Sequence, residues 1–161
     1  GVHPSYQSSL NEEIFRKEFS RLNQIGCNVS EGRQHYLRCN VPNTLQLWEN
    51  CGLQIDSSMG FYEVPGFRCG ICQEFPVFNF LTRSKLKLKE RPLILMDSAL
   101  VNFIVNKKGS LDSVFSMINQ VIKYKGKMVV LWHPSSFNVY EWKPYQYLYT
   151  QIIEYFKQKM K

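Results

Sequence analysis

The sequence contains no apolar run approaching the ~20 residues that a bilayer-spanning helix needs, so no membrane span is expected. Its first residues, Gly1-Val2-His3-Pro4-Ser5, carry neither a basic nor an apolar leader region. No signal peptide is visible in them, and any would lie upstream. A glycine-rich phosphate loop, a His-Glu-x-x-His pair and a Gly-x-Ser-x-Gly elbow are also missing. With them go the usual marks of nucleotide binding, zinc proteases and serine hydrolases. Nor is there an internal repeat, a low-complexity tract or a linker. A length of 161 residues matches one core, so a single domain over 1–161 is expected.

Acidic residues are the scarcer charge, 13 against 20 Lys and Arg, for a formal net charge of +7. A basic balance can attract nucleic acid, anionic lipid or acidic glycans. Here it is spread over Lys85, Lys87, Lys89 and Arg91, over Lys107-Lys108, over Lys123, Lys125 and Lys127, and over the tail Lys157, Lys159 and Lys161. No nucleic-acid motif accompanies it, so it reads as solvated faces and no nucleic-acid partner is expected. The five cysteines, Cys27, Cys39, Cys51, Cys69 and Cys72, are an odd count that leaves at least one thiol free in a monomer. Reduced thiols suit a cytoplasmic protein. Cys69-Gly70-Ile71-Cys72 has the spacing of a zinc knuckle or a redox pair. No second pair completes a zinc site, and Gln73-Glu74-Phe75-Pro76 does not open a helix, so buried structural thiols are expected.

Aromatic residues are plentiful (11 Phe, 9 Tyr and 3 Trp), which argues for a packed core. Ser9-Leu10-Asn11-Glu12 reads as a capping box, followed by Leu10, Ile14, Phe15, Phe19, Leu22 and Ile25 at helical spacing and by Gly26 as a stop. An extended stretch is expected over 35–39, a short helix over 43–51 closed by Gly52, and a buried strand over 53–56. The stretch 57–72 reads as a long loop, of the kind that is often functional. Further strands are expected over 76–81, 93–97 and 128–132. A helix capped by Ser110 runs to about 124, with Val114, Met117, Ile118, Val121 and Ile122 inward. The last helix has Pro144 in its first turn and Leu148, Ile152, Ile153 and Phe156 inward. Alternating strands and helices predict an α/β fold with a largely parallel sheet or barrel, whose functional groups gather at strand ends. Asp56, Asp97 and His133 all fall at such ends.

His133 can act as an acid or base or bind a metal, or it can simply close a strand with a hydrogen bond. His3 can be a ligand or an ordinary surface residue. In Arg33-Gln34-His35-Tyr36-Leu37-Arg38, an extended backbone puts Arg33 and His35 on one face, where an arginine fork can orient a carboxylate. The plainer reading is a strand with solvated arginines and a core tyrosine.

In order along the chain, Gly1-Val2-His3-Pro4-Ser5-Tyr6, Arg33–Arg38, Asp56-Ser57-Ser58-Met59-Gly60-Phe61, Gly66-Phe67-Arg68-Cys69-Gly70, Pro92–Asp97 and Leu131-Trp132-His133 resemble the motifs of the NodB-type polysaccharide deacetylases, the fourth family of carbohydrate esterases, in a divergent bacterial branch. The likeness covers nearly the whole chain. It implies a distorted (β/α) barrel that removes acetyl groups from N-acetylated polysaccharide sugars with a divalent metal, zinc first. By position, His3 is similar to the first metal histidine, while Gln7 stands where the second would be. Arg33 matches the arginine opening the third motif, and Arg68 the arginine that orients the base aspartate. His133 resembles the catalytic acid, with Asp56 or Asp97 holding its ring. Tyr36 and Trp132 would line the sugar pocket. The family's paired aspartates precede these motifs on the first strand and have no counterpart here. The expectation is a C-terminal portion lacking that strand, inactive alone and able to self-associate through the exposed sheet edge. The alternative is a glycan-binding module that has lost the chemistry.

Overall fold

Phe15 and Phe19 recur on one face and wind the chain into α1 (Glu12–Gln24), the first element of a computed structural model that describes residues 1–159. Lys161 of the basic tail lies outside the described residues. The cap of α1 differs from the expected box. Asn11 is the N-cap, its Oδ1 accepting from the Ile14 N–H at 3.1 Å. Ser9 instead belongs to a 3-10 turn, Tyr6–Ser9, and donates its hydroxyl to the Tyr6 carbonyl. Leu10 and Ile25 therefore fall outside the helix and are exposed rather than inward.

The chain groups into two compact units. The first comprises Gly1–Gly60 and Gln73–Pro92; the second comprises Phe61–Cys72 and the chain from Leu93 onward. In the first, α1 is followed by β1 (Glu31–Gly32), α2 (Asn43–Asn50), β2 (Ile55–Asp56), β3 (Phe75–Asn79) and β4 (Ser84–Glu90). The sheet order is β1-β2-β4-β3, with β1, β2 and β4 parallel and β3 antiparallel to β4. Val2 bridges Gly32 in parallel. A Cβ on Gly32 would overlap the Val2 carbonyl oxygen, so only glycine allows this approach. Phe15, Phe19, Leu45, Trp48, Leu86 and Leu88 close the core beneath the sheet.

β4 was not expected, yet its pattern is plain. Leu86, Leu88 and Glu90 face inward while Lys85, Lys87 and Lys89 face water, the period of two that a half-buried strand requires. The stretch 35–39 is a correction in the other direction. His35–Leu37 forms a 3-10 turn, with Tyr36 and Leu37 at φ 55° and 54°, so Arg33 and His35 do not share a strand face.

The second unit holds β5 (Leu95–Met96), α3 (Asp97–Val105), α4 (Leu111–Lys123), β6 (Val130–Leu131), a single helical turn α5 (Ser135–Asn138) and α6 (Gln146–Lys159). β5 and β6 pair in parallel. Ser110 caps α4 with Ser113 as its reciprocal partner. Pro144 lies in a 3-10 turn, Tyr140–Tyr145, that leads into α6. Leu95, Leu100, Val114, Ile118, Leu148 and Ile152 form the core, and Cys72, Ile94 and Val121 form a smaller cluster beside it. α3 was also unforeseen, because an apolar run of this length reads equally as strand or helix. The architecture is mixed α/β, and the described strands form no closed barrel: one sheet has four strands and the other two. Four of the six strands have only two residues each. No described helix is long and apolar enough to cross a membrane.

The alternation along β4 gives a direct check. Leu88, fully buried, is expected to cost about 2–5 kcal/mol when changed to alanine. Lys87→Ala, on the opposite face, should stay within about 0.5 kcal/mol of the parent in urea unfolding.

Candidate functional site

Parallel pairing of Val2 beside Gly32 carries His3 to the end of β1. The Val2 N–H donates to the Glu31 carbonyl at 2.8 Å, and the Arg33 N–H donates to the Val2 carbonyl at 3.0 Å. His3 Nδ1 then lies 2.8 Å from the Arg33 carbonyl oxygen. A carbonyl only accepts, so Nδ1 carries the proton and the Nε2 lone pair is left outward. Facing it at 3.0 Å is His35 Nδ1, brought there by the turn that replaces the expected strand. The two rings meet edge to face at 5.0 Å. Two donors on one tetrahedral zinc lie about 3.3 Å apart, and a ligating histidine commonly donates its other N–H to a carbonyl. As it stands the contact is a hydrogen bond, His35 Nδ1–H donating to the His3 Nε2 lone pair; with that proton displaced, the two nitrogens are the residues that could hold a divalent metal. Among the described residues no group of three His, Cys, Asp or Glu side chains gathers around a point. His35, not Gln7, is the histidine that the fold sets against His3.

Tyr36, the first of the two positive-φ residues of that turn, is 73% exposed. Its ring stands edge-on to His35 at 4.7 Å and to Tyr6 at 5.7 Å. The Arg38 guanidinium lies over Tyr6, 4.0 Å from the ring centroid. A tyrosine at positive φ is a strained placement, and here it presents an aromatic face beside two imidazoles.

Behind the turn lies a buried acid pair. Asp56, fully buried, accepts from Ser58 Oγ at 2.7 Å and from the Ser58 N–H at 3.0 Å. Glu90, 1% exposed, accepts from the Met59 N–H through Oε1. Burial and the neighbouring Asp56 carboxylate push the Glu90 carboxyl up to about 10. Glu90 is thus protonated at neutral pH and donates to Asp56. Its Oε2 is buried and accepts from no N–H or hydroxyl among the described residues. Arg33 Nε donates to the Ser57 carbonyl at 2.7 Å, and Nη2 donates to Ser57 Oγ at 2.9 Å. The fork expected to grip a carboxylate holds a serine instead, and its charge sits near the acid pair; burial pulls its pKa down from the ordinary value.

In the second unit, β5 ends where α3 begins, so Asp97 sits in the first turn of a helix, where a carboxylate is favoured. It is fully buried and surrounded by donors. The His133 N–H reaches Oδ2 at 2.8 Å, His133 Nδ1 reaches Oδ1 at 2.8 Å, the Ser98 N–H reaches Oδ1 at 2.7 Å, and Ser136 Oγ donates to Oδ2. Of the two aspartates considered for the His133 ring, Asp97 is the one that holds it. The His133 side chain is 46% exposed, so its Nε2 edge faces outward while Nδ1 is fixed. Trp132 is half-buried, packed on Tyr149 at 5.1 Å and Phe137 at 6.2 Å, a core position more than a free sugar platform. Arg68 is exposed, in the loop of the same unit. Cys72 is buried and Cys69 half-buried, and neither is in a disulfide.

Sequence reasoning missed three partners. His35 was paired with Arg33 and not with His3, a contact across 32 residues. Ser136 gave no signal beyond its closeness to His133. Glu90 was legible, because it continues the buried face of Leu86 and Leu88.

The acid pair sets a pH dependence. Glu90 titrates near its ordinary value of 4.5 when unfolded and near 10 when folded. Between these values the folded chain binds the extra proton, so stability falls as pH rises, by at most about 1.4 kcal/mol per unit. Glu90→Gln, which keeps a donor toward Asp56 without an ionisable proton, is expected to melt higher than the parent at neutral pH. The gap should widen toward pH 9 and close near pH 4 in thermal unfolding followed by circular dichroism. A gap independent of pH would assign the proton elsewhere.

Comparison with known proteins gives no match to the chain, whether by family model, by curated sequence or by solved structure.

Proposed function

We propose that the chain is a metal-dependent hydrolase that removes N-acetyl or O-acetyl groups from polysaccharide sugars, of the NodB deacetylase type. The observation that carries the reading is the His133–Asp97 pair: an imidazole with Nδ1 fixed by a fully buried carboxylate and its other edge facing outward. That is the arrangement of a general acid or base held in one tautomer. Within this reading, His133 Nε2 gives its proton to the departing amine or alcohol of the sugar. Asp97 stabilises the imidazolium before that transfer, and Ser136 and Ser98 hold Asp97 in place.

His3 Nε2 and His35 Nδ1 would hold the metal, a divalent ion with zinc first. When bound, such an ion polarises an acyl carbonyl and lowers the pKa of a water. The Arg33 carbonyl fixes the His3 tautomer, which makes that residue's main chain a positioning element. Tyr36 offers a flat apolar face suited to a sugar ring. The parallel pairings of β1 with β2, β2 with β4, and β5 with β6 are compatible with pieces of the distorted barrel that this reading carries with it.

Gln7, standing where the family's second metal histidine would be, favours a second reading: a glycan-binding module without hydrolysis. Acetate release from N-acetylglucosamine oligosaccharides, measured with and without added zinc, separates the two. The hydrolase reading expects zinc-dependent release that His133→Ala lowers by about 10²–10⁴ in kcat with little change in KM. It also expects that His3→Ala and His35→Ala each weaken zinc uptake. Oligosaccharide binding with neither zinc uptake nor acetate release selects the module. Absence of both binding and release removes both readings.

A further inference from the structure

The hairpin of β3 and β4 has no part in the reading above. Its register sets Phe78 opposite Lys85 and Pro76 opposite Lys89. Val77, Leu86, Leu88 and Glu90 turn inward, which leaves Pro76, Phe78, Lys85, Lys87 and Lys89 on the outer face. Phe80 and Leu81 follow in the connection, with Arg83 just after them. Phe78, Phe80 and Leu81 are 53%, 52% and 66% exposed. Three large apolar side chains within four residues form a patch, and a patch of this kind marks a surface that something covers.

The fold holds that patch in place. Asn79, buried beneath the tip, accepts through Oδ1 from the Leu81 N–H at 3.0 Å and from the Thr82 N–H at 3.2 Å. Its Nδ2 donates to Gln46 Oε1 on α2 at 2.7 Å. The turn is therefore anchored to the frame of the first unit, with its apolar side chains kept in water.

Charge identifies the occupant. The hairpin carries four bases, Arg83, Lys85, Lys87 and Lys89, and one acid, Glu90, which faces inward and keeps its proton. The carboxylates of Glu31 and Glu74 are both taken by Arg91, at 2.8 and 2.6 Å. None of the four bases has a carboxylate partner among the described residues. Alternate residues of a strand stand about 7 Å apart, so the lysines form a row of like charges that an anionic surface would neutralise.

We propose that this hairpin docks the chain on an anionic lipid bilayer, with Phe80 and Leu81 entering the acyl boundary and the lysine row lying among the headgroups. The order of the groups favours lipid over a nucleic acid. Single strands are held by flat rings on which successive bases stack, set along a basic groove. Here the apolar side chains gather toward one end, and one of the two at the tip is an aliphatic leucine, which stacks no base. An apolar tip followed by a basic stem matches the layers of a bilayer surface, acyl chains and then phosphates. The docking stands independently of the hydrolase reading, none of whose residues lies in the hairpin.

The test is cosedimentation of the full chain with vesicles of equal parts phosphatidylcholine and phosphatidylglycerol, and with vesicles of phosphatidylcholine alone. The expected result is saturable binding to the mixed vesicles, about tenfold or more weaker on phosphatidylcholine alone. Lys85→Glu combined with Lys87→Glu should weaken it about tenfold or more. Lys107→Glu combined with Lys108→Glu makes the same change in net charge at exposed positions elsewhere, and should weaken it less than about twofold. Phe80→Ser combined with Leu81→Ser should weaken it about tenfold; Leu81→Ser alone should do so about threefold, and serves where the double variant does not fold. His133→Ala and His3→Ala should leave vesicle binding in place even where they abolish acetate release or zinc uptake, so failure of the hydrolase reading stays distinguishable from failure here. No binding to the mixed vesicles overturns the proposal. Equal loss from the two lysine pairs overturns it by assigning the attraction to overall charge. Binding that the Phe80 and Leu81 variants leave unchanged overturns the insertion. Binding of an oligothymidylate strand in place of vesicles, lost in the Lys85 and Lys87 variant, overturns the lipid assignment.

Discussion

A carboxylate withdrawn from water must be met by donors or keep its proton, and this requirement shapes both units. Asp97 is met by donors, with two N–H groups, one hydroxyl and one imidazole converging on its two oxygens. These bonds tie the start of α3 to the end of β6 and to α5. The length of β6 matters less than where it stops, because two paired residues suffice to bring His133 within reach. Asp56 is met partly by Ser58 and partly by the proton that Glu90 retains. That arrangement joins the ends of the parallel strands β2 and β4 and fixes the loop at Ser57–Met59, on which Arg33 and Gln34 depend.

The two solutions differ in consequence. Asp97 has two full sets of donors and one of them, the imidazole, is part exposed, so its charge can be spent on a group that exchanges protons with a ligand. The Asp56–Glu90 pair is closed to solvent, and its proton is shared internally. It behaves as a structural joint whose strength varies with pH. That contrast is why, of two aspartates at strand ends, one belongs with the candidate chemistry and the other with the frame.

Much of this was legible in the sequence, for local reasons. The cap of α4, the apolar spacing of α4 and α6, the stop at Gly52 and the strand-end positions of Asp56, Asp97 and His133 are all set by nearby residues. What failed were features decided at a distance. The turn at His35–Leu37 has no glycine to announce its positive φ values, and the apolar run after Leu93 divides into a two-residue strand and a helix at Asp97, whose partner His133 lies 36 residues later. β4 is readable from its alternation, but its lysines form one face of a strand whose other face is core, and taken as a charge cluster they hide that face.

The two outward-facing histidines illustrate how the same local phrase is sorted by its partner. His3 and His133 each precede proline and serine, and each has Nδ1 held by an oxygen of the fold; the Nε2 of His3 accepts from His35 Nδ1, while His133 leaves its Nε2 edge outward. A main-chain carbonyl fixes a tautomer without adding a formal charge, which suits a neutral ring that offers a lone pair, and His35 stands 3.0 Å from that lone pair. A buried carboxylate fixes the tautomer and also stabilises the cation formed when the ring takes a proton. Within the proposed function, the first arrangement would serve a ligand and the second an acid. The difference lies in which oxygen the fold sets behind each ring: the Arg33 carbonyl at the end of β1, or the Asp97 carboxylate at the start of α3.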